Sequence, residues 1–350
     1  MISPNSNSGF QPLQTCLVGQ CYPPDFFSFI QDARLRSIFE RISIETEEDY
    51  QKLISVLQKF NVKVIRPEIS SNYGMYLYTA DTGQEIYKRP PMQPRDDMIV
   101  IGQTLHAIHN GFGDGYVDPW NSFIDSVNPT QLLDHRKDED VWKKVAPPCI
   151  TRVGKDLFFD FYSHDPTYHK KDYFKLLQSK IIPNYFNKYK IHYVDCGGHS
   201  DAVFSPVVPG LIVTYMNPLT YKDSFPGWEV IQVPWHSHTD NDQALRSLRA
   251  TQGQWWIKNQ ELDPALIDLV STKFNSWVGY SMETQFDVNL FMINQQNAII
   301  NSHNPAIILA LERHGITPHI VPFRHRFFWD CGLHCATLDI VREGDCIDYF

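Results

Sequence analysis

Four short strings hold the side chains best suited to chemistry in this chain. Pro94-Arg95-Asp96-Asp97 leads into the apolar run Met98 to Ile101, and Gly154-Lys155-Asp156 leads into Leu157 to Phe159. Gly197-Gly198-His199-Ser200-Asp201 follows, and Gly332-Leu333-His334-Cys335-Ala336-Thr337 lies near the end. A thiol, an imidazole and several carboxylates, each beside an apolar run, are the parts of a nucleophilic enzyme that handles a cationic substrate.

Cys335 sits between a Gly-Leu-His turn and a strand, a placement suited to a nucleophile and equally to a buried structural cysteine. A free thiol titrates near 8.5; lowering it by two units takes about 2.7 kcal/mol of thiolate stabilisation, which a bound cation or a protonated His199 would supply. His199, after two glycines, suits a general acid and base, or a solvated turn histidine. Asp156 suits the carboxylate that orients an imidazole, or a turn residue; Asp96 or Asp97 suits a bidentate guanidinium contact, or a solvated turn carboxylate. Cys331-x-x-His334-Cys335 has metal-binding atoms, but no second pair completes a four-ligand set, so a metal is not expected. The sequence carries no P-loop, GxGxxG, GxSxG or kinase string.

These residues need a scaffold. Short β-branched or aromatic runs bounded by Gly, Pro and Asn recur from Thr15–Gly19 to Ala336–Val341, among them Leu157–Phe161, Val288–Ile293 and Pro318–Val321. Helical spacing runs over Thr46–Phe60, with Thr46 as N-cap, over Tyr173–Ile182, stopped by Pro183, and over Asn304–His314. The class is therefore α/β or α+β. A polar or reactive residue repeatedly precedes a strand: Asp97, Asp156, Asp201, Asp287 and Cys335. Strands sharing one direction about an axis would bring all five to one end; polar strand starts are also common by chance.

The formal charge is −9, from 40 Asp plus Glu against 31 Lys plus Arg, which argues against a nucleic-acid-coating surface. At 43% hydrophobic the chain can close a large core, yet no apolar run is long enough for a membrane span. Seven irregularly placed cysteines do not read as a secreted disulfide framework, and the first residues show no targeting pattern. A cytoplasmic protein without membrane or nucleic-acid partners is the expectation. Residues 114–148 read as a surface insertion rather than a domain boundary.

Together and in this order, the four strings resemble the amidinotransferase branch of the guanidino-group-modifying enzymes, the family of glycine amidinotransferase. The resemblance runs from Pro12–Gly19 to Arg342–Gly344. It implies an α/β pentein fold, a five-bladed pseudo-symmetric propeller of ββαβ modules, in one catalytic domain over 1–350. It also implies roles: Cys335 attacks the guanidino carbon of arginine, His199 moves protons, Asp156 pairs with His199, and Asp96 and Asp201 hold the guanidinium. Ornithine leaves, and an acceptor amine, glycine by default, takes the amidino group, without metal or cofactor. A hydrolase on the same scaffold, of the arginine deiminase or substituted-arginine kind, is the alternative; a homodimer is compatible with either.

The sequence departs from the family at the substrate end. Asn217-Pro218 is followed by Leu219-Thr220-Tyr221-Lys222 where the family's creatine-pathway members carry a carboxylate-binding arginine, leaving Lys222 as a point charge in its place. Asp287 falls where those members have a serine and would favour a more cationic donor or acceptor. Asp330 and Cys331 replace glycines before the nucleophile.

Overall fold

The structure, a computed structural model, describes residues 1–79, 83–108, 119–136, 142–161, 168–196, 199–235, 260, 262–274, 277, 281 and 283–350. The first strands are β1 (Leu13–Val18) and β2 (Lys63–Ile65), followed by a hairpin of β3 (Leu77–Thr79) and β4 (Glu85–Tyr87). Then come β5 (Met98–Ile101), β6 (Thr104–Ala107) and β7 (Leu132–Asp134), and β8 (Ile150–Val153), β9 (Asp156–Phe159) and β10 (Lys190–Tyr193). β11 (Phe204–Val208), β12 (Leu211–Thr214) and β13 (Glu229–Gln232) form the next sheet. β14 (Phe291–Asn294), β15 (Asn297–Ile300) and β16 (Thr317–Ile320) precede the last strand, β17 (Thr337–Arg342).

One topology repeats. In each of β5-β6-β7, β8-β9-β10, β11-β12-β13 and β14-β15-β16, the first two strands are antiparallel and the third runs parallel to the second. The fifth sheet, β17-β1-β2, has the same pattern and joins the two ends of the chain. A parallel return needs a crossover. Ala33–Lys59, Asn121–Ser126, Lys170–Leu176 and Pro305–Arg313 supply helical ones, and a short 3-10 turn, Pro218–Tyr221, supplies the remaining one.

The long helix starts well before Thr46. Asp32 is its N-cap, accepting from the amides of Arg34 and Leu35 at 2.8 and 3.1 Å, whereas the Thr46 hydroxyl donates to the Ile42 carbonyl inside the helix. The apolar face is buried ahead of Thr46 too, through Leu35, Ile38, Phe39 and Ile42, so burial extends the helix beyond the acidic stretch that suggested a start. Pro183 stops nothing either: it lies within a widened π-type segment, Leu177–Phe186, that continues the preceding helix. Asn304 caps its helix as expected, and Gly315 takes the left-handed conformation (φ 71°) that ends it. Val288 belongs to the helical turn Glu283–Val288, so the strand begins later, at Phe291. Residues 119–136 are no mere insertion: buried Trp120, Phe123 and Ile124 pack under the β5-β6-β7 sheet and β7 completes it. The rest of the predicted insertion falls partly outside the described residues.

Beneath the starts of the first strands lies a buried ionic node. Asp339 on β17 accepts from Arg95 Nη2 (2.8 Å), Arg152 Nη2 (2.6 Å), Arg342 Nε (2.7 Å) and the Ser6 hydroxyl (2.7 Å). Three guanidinium groups hold its carboxyl well below the usual carboxylate range against the opposing effect of burial. Removing one member leaves uncompensated buried charge. Asp339→Ala is therefore expected to destabilise the fold by about 3–5 kcal/mol, read as a lower denaturation midpoint in urea.

Candidate active site

The first strand of each sheet starts at a common place. Asp96 precedes β5, Cys149 precedes β8, Asp201 precedes β11, Asn289 precedes β14 and Cys335 precedes β17. Hydrogen bonds join three of these directly. Asn289 is the clasp: its Oδ1 accepts from the amides of His334 (2.9 Å) and Cys335 (3.2 Å). Its Nδ2 donates to the Asp201 carbonyl (3.0 Å) and to Cys335 Sγ (3.2 Å). Both donors and both lone pairs of the amide are used, so its orientation is fixed. The approach is so close that a Cβ on Gly332 would lie 2.2 Å from Asn289 Oδ1, which is why this turn needs glycine. From the other side Arg95 Nε donates to the carbonyls of His334 and Thr337, both at 3.0 Å, tying the cysteine turn to the ionic node.

Cys335 is buried at 8% exposure, and Cys335 Sγ lies 3.4 Å from Asp201 Oδ2. The same carboxylate oxygen is 2.8 Å from His334 Nδ1. A carboxylate only accepts, so Nδ1 carries the proton and, in the neutral ring, Nε2 does not. Burial, aided by Arg95, brings His334 down to about 4, so the neutral ring prevails at pH 7. His199 Nδ1 lies 4.0 Å from Asp96 Oδ1. Its pKa is lowered by burial, with Asp201 and Asp330 opposing. Burial and the nearby Asp201 push Asp96 up to about 8, and Asp97 is turned away, accepting from Trp120 Nε1 at 2.8 Å. The Cys335 thiol is raised well above its ordinary value by burial and by Asp201 and Asp96. That reverses the expected shift: without a cation between the carboxylates, the sulfur keeps its proton.

Two buried oxygens stand out. Asp96 Oδ1 and Asp201 Oδ1 have no hydrogen-bond donor among the described residues, although both carboxyl groups flank the thiol. Buried acceptors without donors are costly. A planar cation carrying several N–H groups is the chemical species that would satisfy both.

No family model matches the chain. Over 333 residues it is 24% identical to inosamine-phosphate amidinotransferase 1 of Streptomyces glaucescens, covering 89% of this chain and 84% of that protein. L-arginine:L-lysine amidinotransferase of Pseudomonas savastanoi pv. phaseolicola is 20% identical over 366 residues, 94% of this chain and 87% of that one. Among solved structures, inosamine-phosphate amidinotransferase from Streptomyces griseus superposes with a TM-score of 0.65 at 18% identity, over 100% of this chain and 99% of its own. The chain is an enzyme related to the amidinotransferases. Its fold is the pentein fold expected from the four strings.

Within this amidinotransferase-like frame the residues expected at the site divide. Cys335, His199, Asp96 and Asp201 come together. Asp156 does not join them. Gly154 (φ 63°) and Lys155 form the hairpin turn between β8 and β9, which places Asp156 at the start of the second strand, at the far end. Its Oδ1 is 2.6 Å from His192 Nε2, not beside His199. β9 returns to the site only at Asp160, four residues on and so about 13 Å away along an extended strand. Asp160, fully buried, accepts from the amides of Cys196 (3.2 Å) and Phe161 (2.7 Å) and adds to the negative potential at His199. Burial raises its carboxyl to about 6. Asp156→Asn is accordingly expected to leave turnover within about threefold of wild type, whereas Asp160→Asn lowers kcat by about a hundredfold, measured in a steady-state assay of amidino transfer.

Asp287 is also not free for substrate. Ser302 Oγ donates to its Oδ1 and Asn304 Nδ2 to its Oδ2 (2.8 Å), so it braces the turn ahead of the Pro305–Arg313 helix. Two residues on, Asn289 takes the strand-start place that the sequence suggested for Asp287. Lys222 is exposed, following the Pro218–Tyr221 turn, and its side chain makes no hydrogen bond or ion pair with a described residue. Gly197 and Gly198, expected to free His199, lie outside the described residues. Among the described residues no cluster of His, Cys, Asp or Glu is placed to hold a metal, and no helix is long and apolar enough to cross a membrane. The sequence reading missed Asn289 and Asp160; the hairpin turn at Gly154-Lys155, which puts the end of the following apolar run rather than its start toward the site, was the available signal for the second.

Proposed function

We propose that the chain transfers the amidino group of L-arginine to an acceptor amine through a covalent intermediate on Cys335. The observation that carries this reading is the pair of buried oxygens without a hydrogen-bond donor, Asp96 Oδ1 and Asp201 Oδ1, beside a thiol that burial, reinforced by those carboxyl groups, keeps protonated. A guanidinium seated between them satisfies both oxygens, cancels the negative potential and lowers the thiol pKa where its carbon is within reach. The substrate cation thus switches on its own nucleophile.

Cys335 gives its proton to His199, and the sulfur bonds to the guanidino carbon. The carbon–nitrogen bond to the ornithine portion breaks as His199 delivers that proton to the leaving nitrogen. The amidino-cysteine keeps the guanidinium-like positive charge, still held by Asp96 and Asp201. An acceptor amine in its neutral form then attacks, the carbon–sulfur bond breaks, and the amine proton returns through His199 to the sulfur. No proton is gained or lost over the cycle. Asp201 orients His334, and Asp160 sustains the potential around His199.

Glycine is the default acceptor from the resemblance, while the name of one relative, L-arginine:L-lysine amidinotransferase, points to a diamino acid. Arginine offered with and without amines separates transfer from hydrolysis. Ornithine release beyond one equivalent per enzyme only when an amine is present supports transfer, whereas citrulline formed without one requires the hydrolase reading.

A further inference from the structure

His334 stands between the thiol site and the buried ionic node. Its Nδ1–H donates to Asp201 Oδ2 (2.8 Å), the oxygen that also faces Cys335 Sγ (3.4 Å). The main chain at His334 is held independently of that contact. Asn289 Oδ1 accepts from its amide (2.9 Å), and Arg95 Nε donates to its carbonyl (3.0 Å). At the node three guanidinium groups share one carboxylate, so positive charge is in excess there. Burial and Arg95 keep the ring neutral, which leaves Nδ1–H as a fixed donor toward Asp201.

The two carboxyl groups that flank the thiol differ in this donor. Asp201 Oδ2 accepts from an imidazole, whereas the Asp96 side chain accepts from no described residue. Their charges differ accordingly. Burial acts to raise Asp201, but the His334 hydrogen bond leads the groups that outweigh it and hold Asp201 below its ordinary value. Burial and Asp201 push Asp96 up to about 8. The remaining neighbours do not make this distinction. Arg95, on the turn before β5, favours both anions, and Arg89 and Asp330 act on Asp96 with opposite signs. The thiols of Cys149, Cys331 and Cys335, ahead of β8 and β17, are kept neutral by burial. Asp339 opposes Arg95 at His334, and His199, lowered by burial, adds to the effect of His334 only when protonated.

We propose that His334 is a positioning residue whose Nδ1–H makes Asp201, rather than Asp96, the standing anion of the site, holding Oδ2 beside the thiol and leaving Oδ1 for the incoming guanidinium. This rests on the transfer reading above, in which arginine is the donor. Arginine then expels one proton on binding, from Asp96. Without the imidazole donor, Asp201 competes for that proton and for a second one, and below neutral pH the cation must displace both.

The test measures arginine affinity by calorimetry at pH 6 and pH 9 in full-length Cys335→Ala, which binds arginine without turning it over. Added to that background are His334→Leu, which keeps bulk, and His334→Ala, which removes it; both lack the donor. His334→Asn places an amide N–H where Nδ1 stands. The donor-free variants should bind arginine about tenfold or more weakly than the background at pH 6, and within about threefold of it at pH 9, where both carboxyl groups are largely ionised. His334→Asn should stay within about threefold at both. An equal loss at the two pH values would overturn the proposal, because a merely structural role moves both alike. So would unchanged affinity at pH 6, or a His334→Asn variant that melts with the background yet fails to restore binding. The background itself, in buffers of different ionisation enthalpy, should release about one proton per arginine at pH 6; release of two would also overturn the proposal. Failure of the background to bind arginine at either pH would instead remove the transfer reading itself.

Discussion

Cys335→Ala is expected to abolish turnover, lowering kcat by at least about a thousandfold, because no other group at the site can form the covalent intermediate. The fold should tolerate the change. Cys335 Sγ contacts Asn289 Nδ2 and Asp201 Oδ2, and both partners keep other bonds: Asn289 to the Asp201 carbonyl, Asp201 to His334. A loss of no more than about 1 kcal/mol follows, measurable by urea denaturation. Cys331 lies four residues away and is fully buried, with Met92 and Gly332 carbonyls near its sulfur. Cys331→Ala should retain activity; inactivation by that substitution alone would reassign the nucleophile.

Asp96→Asn carries the second large effect, and it has a pH signature. The amide would set its own N–H groups toward a guanidinium that needs acceptors, so kcat/KM for arginine should fall by about a hundred- to a thousandfold. In the wild type the Asp96 carboxyl titrates at about 8. Below that pH it is protonated, and binding a cation must expel the proton. Arginine affinity should therefore rise with pH up to about 8 and level off above it, with proton release detectable by calorimetry in buffers of different ionisation enthalpy. The Asn variant should lose that dependence.

Stability runs the other way. The folded pKa of Asp96 lies above the ordinary value near 4, so the folded protein holds a proton that the unfolded chain has lost. Stability falls as pH rises from about 4 to about 8 and is flat beyond. Asp96→Asn should remove that slope and melt higher than the wild type at pH 8 and above. A residue that weakens the fold while serving the reaction is what a binding carboxylate awaiting its cation looks like.

The sequence disclosed the reactive groups better than their bracing. Cys335, His199, Asp96 and Asp201 were legible because each follows a turn and begins or precedes an apolar run, and the structure gathers them. The rule that a polar residue heads each converging strand held for Asp201 and Cys335, and was one residue off at Asp97, which turns away to Trp120 while Asp96 faces the site. It failed at Asp156 because every sheet alternates: its second strand runs antiparallel to the first, so a polar residue at that strand's start lies at the opposite end. Short first strands hid the distinction. β8 carries Arg152, whose guanidinium serves the buried node, so it did not read as a strand, and β11 contains Pro206, so only its start at Phe204 did. Asn289 gave no local signal at all; its importance comes from two backbone amides and a carbonyl contributed by distant segments. Lys222 was a substitution of charge for charge in sequence, but an exposed side chain beside a 3-10 turn in the fold.

Intact-protein mass spectrometry after adding arginine without an amine tests the nucleophile most directly. The wild type should gain the mass of one amidino group, mapped by peptide analysis to Cys335 and discharged when a primary amine is added. An unchanged mass while free ornithine accumulates on amine addition, or an adduct on any other residue, would contradict a covalent amidino-Cys335 intermediate.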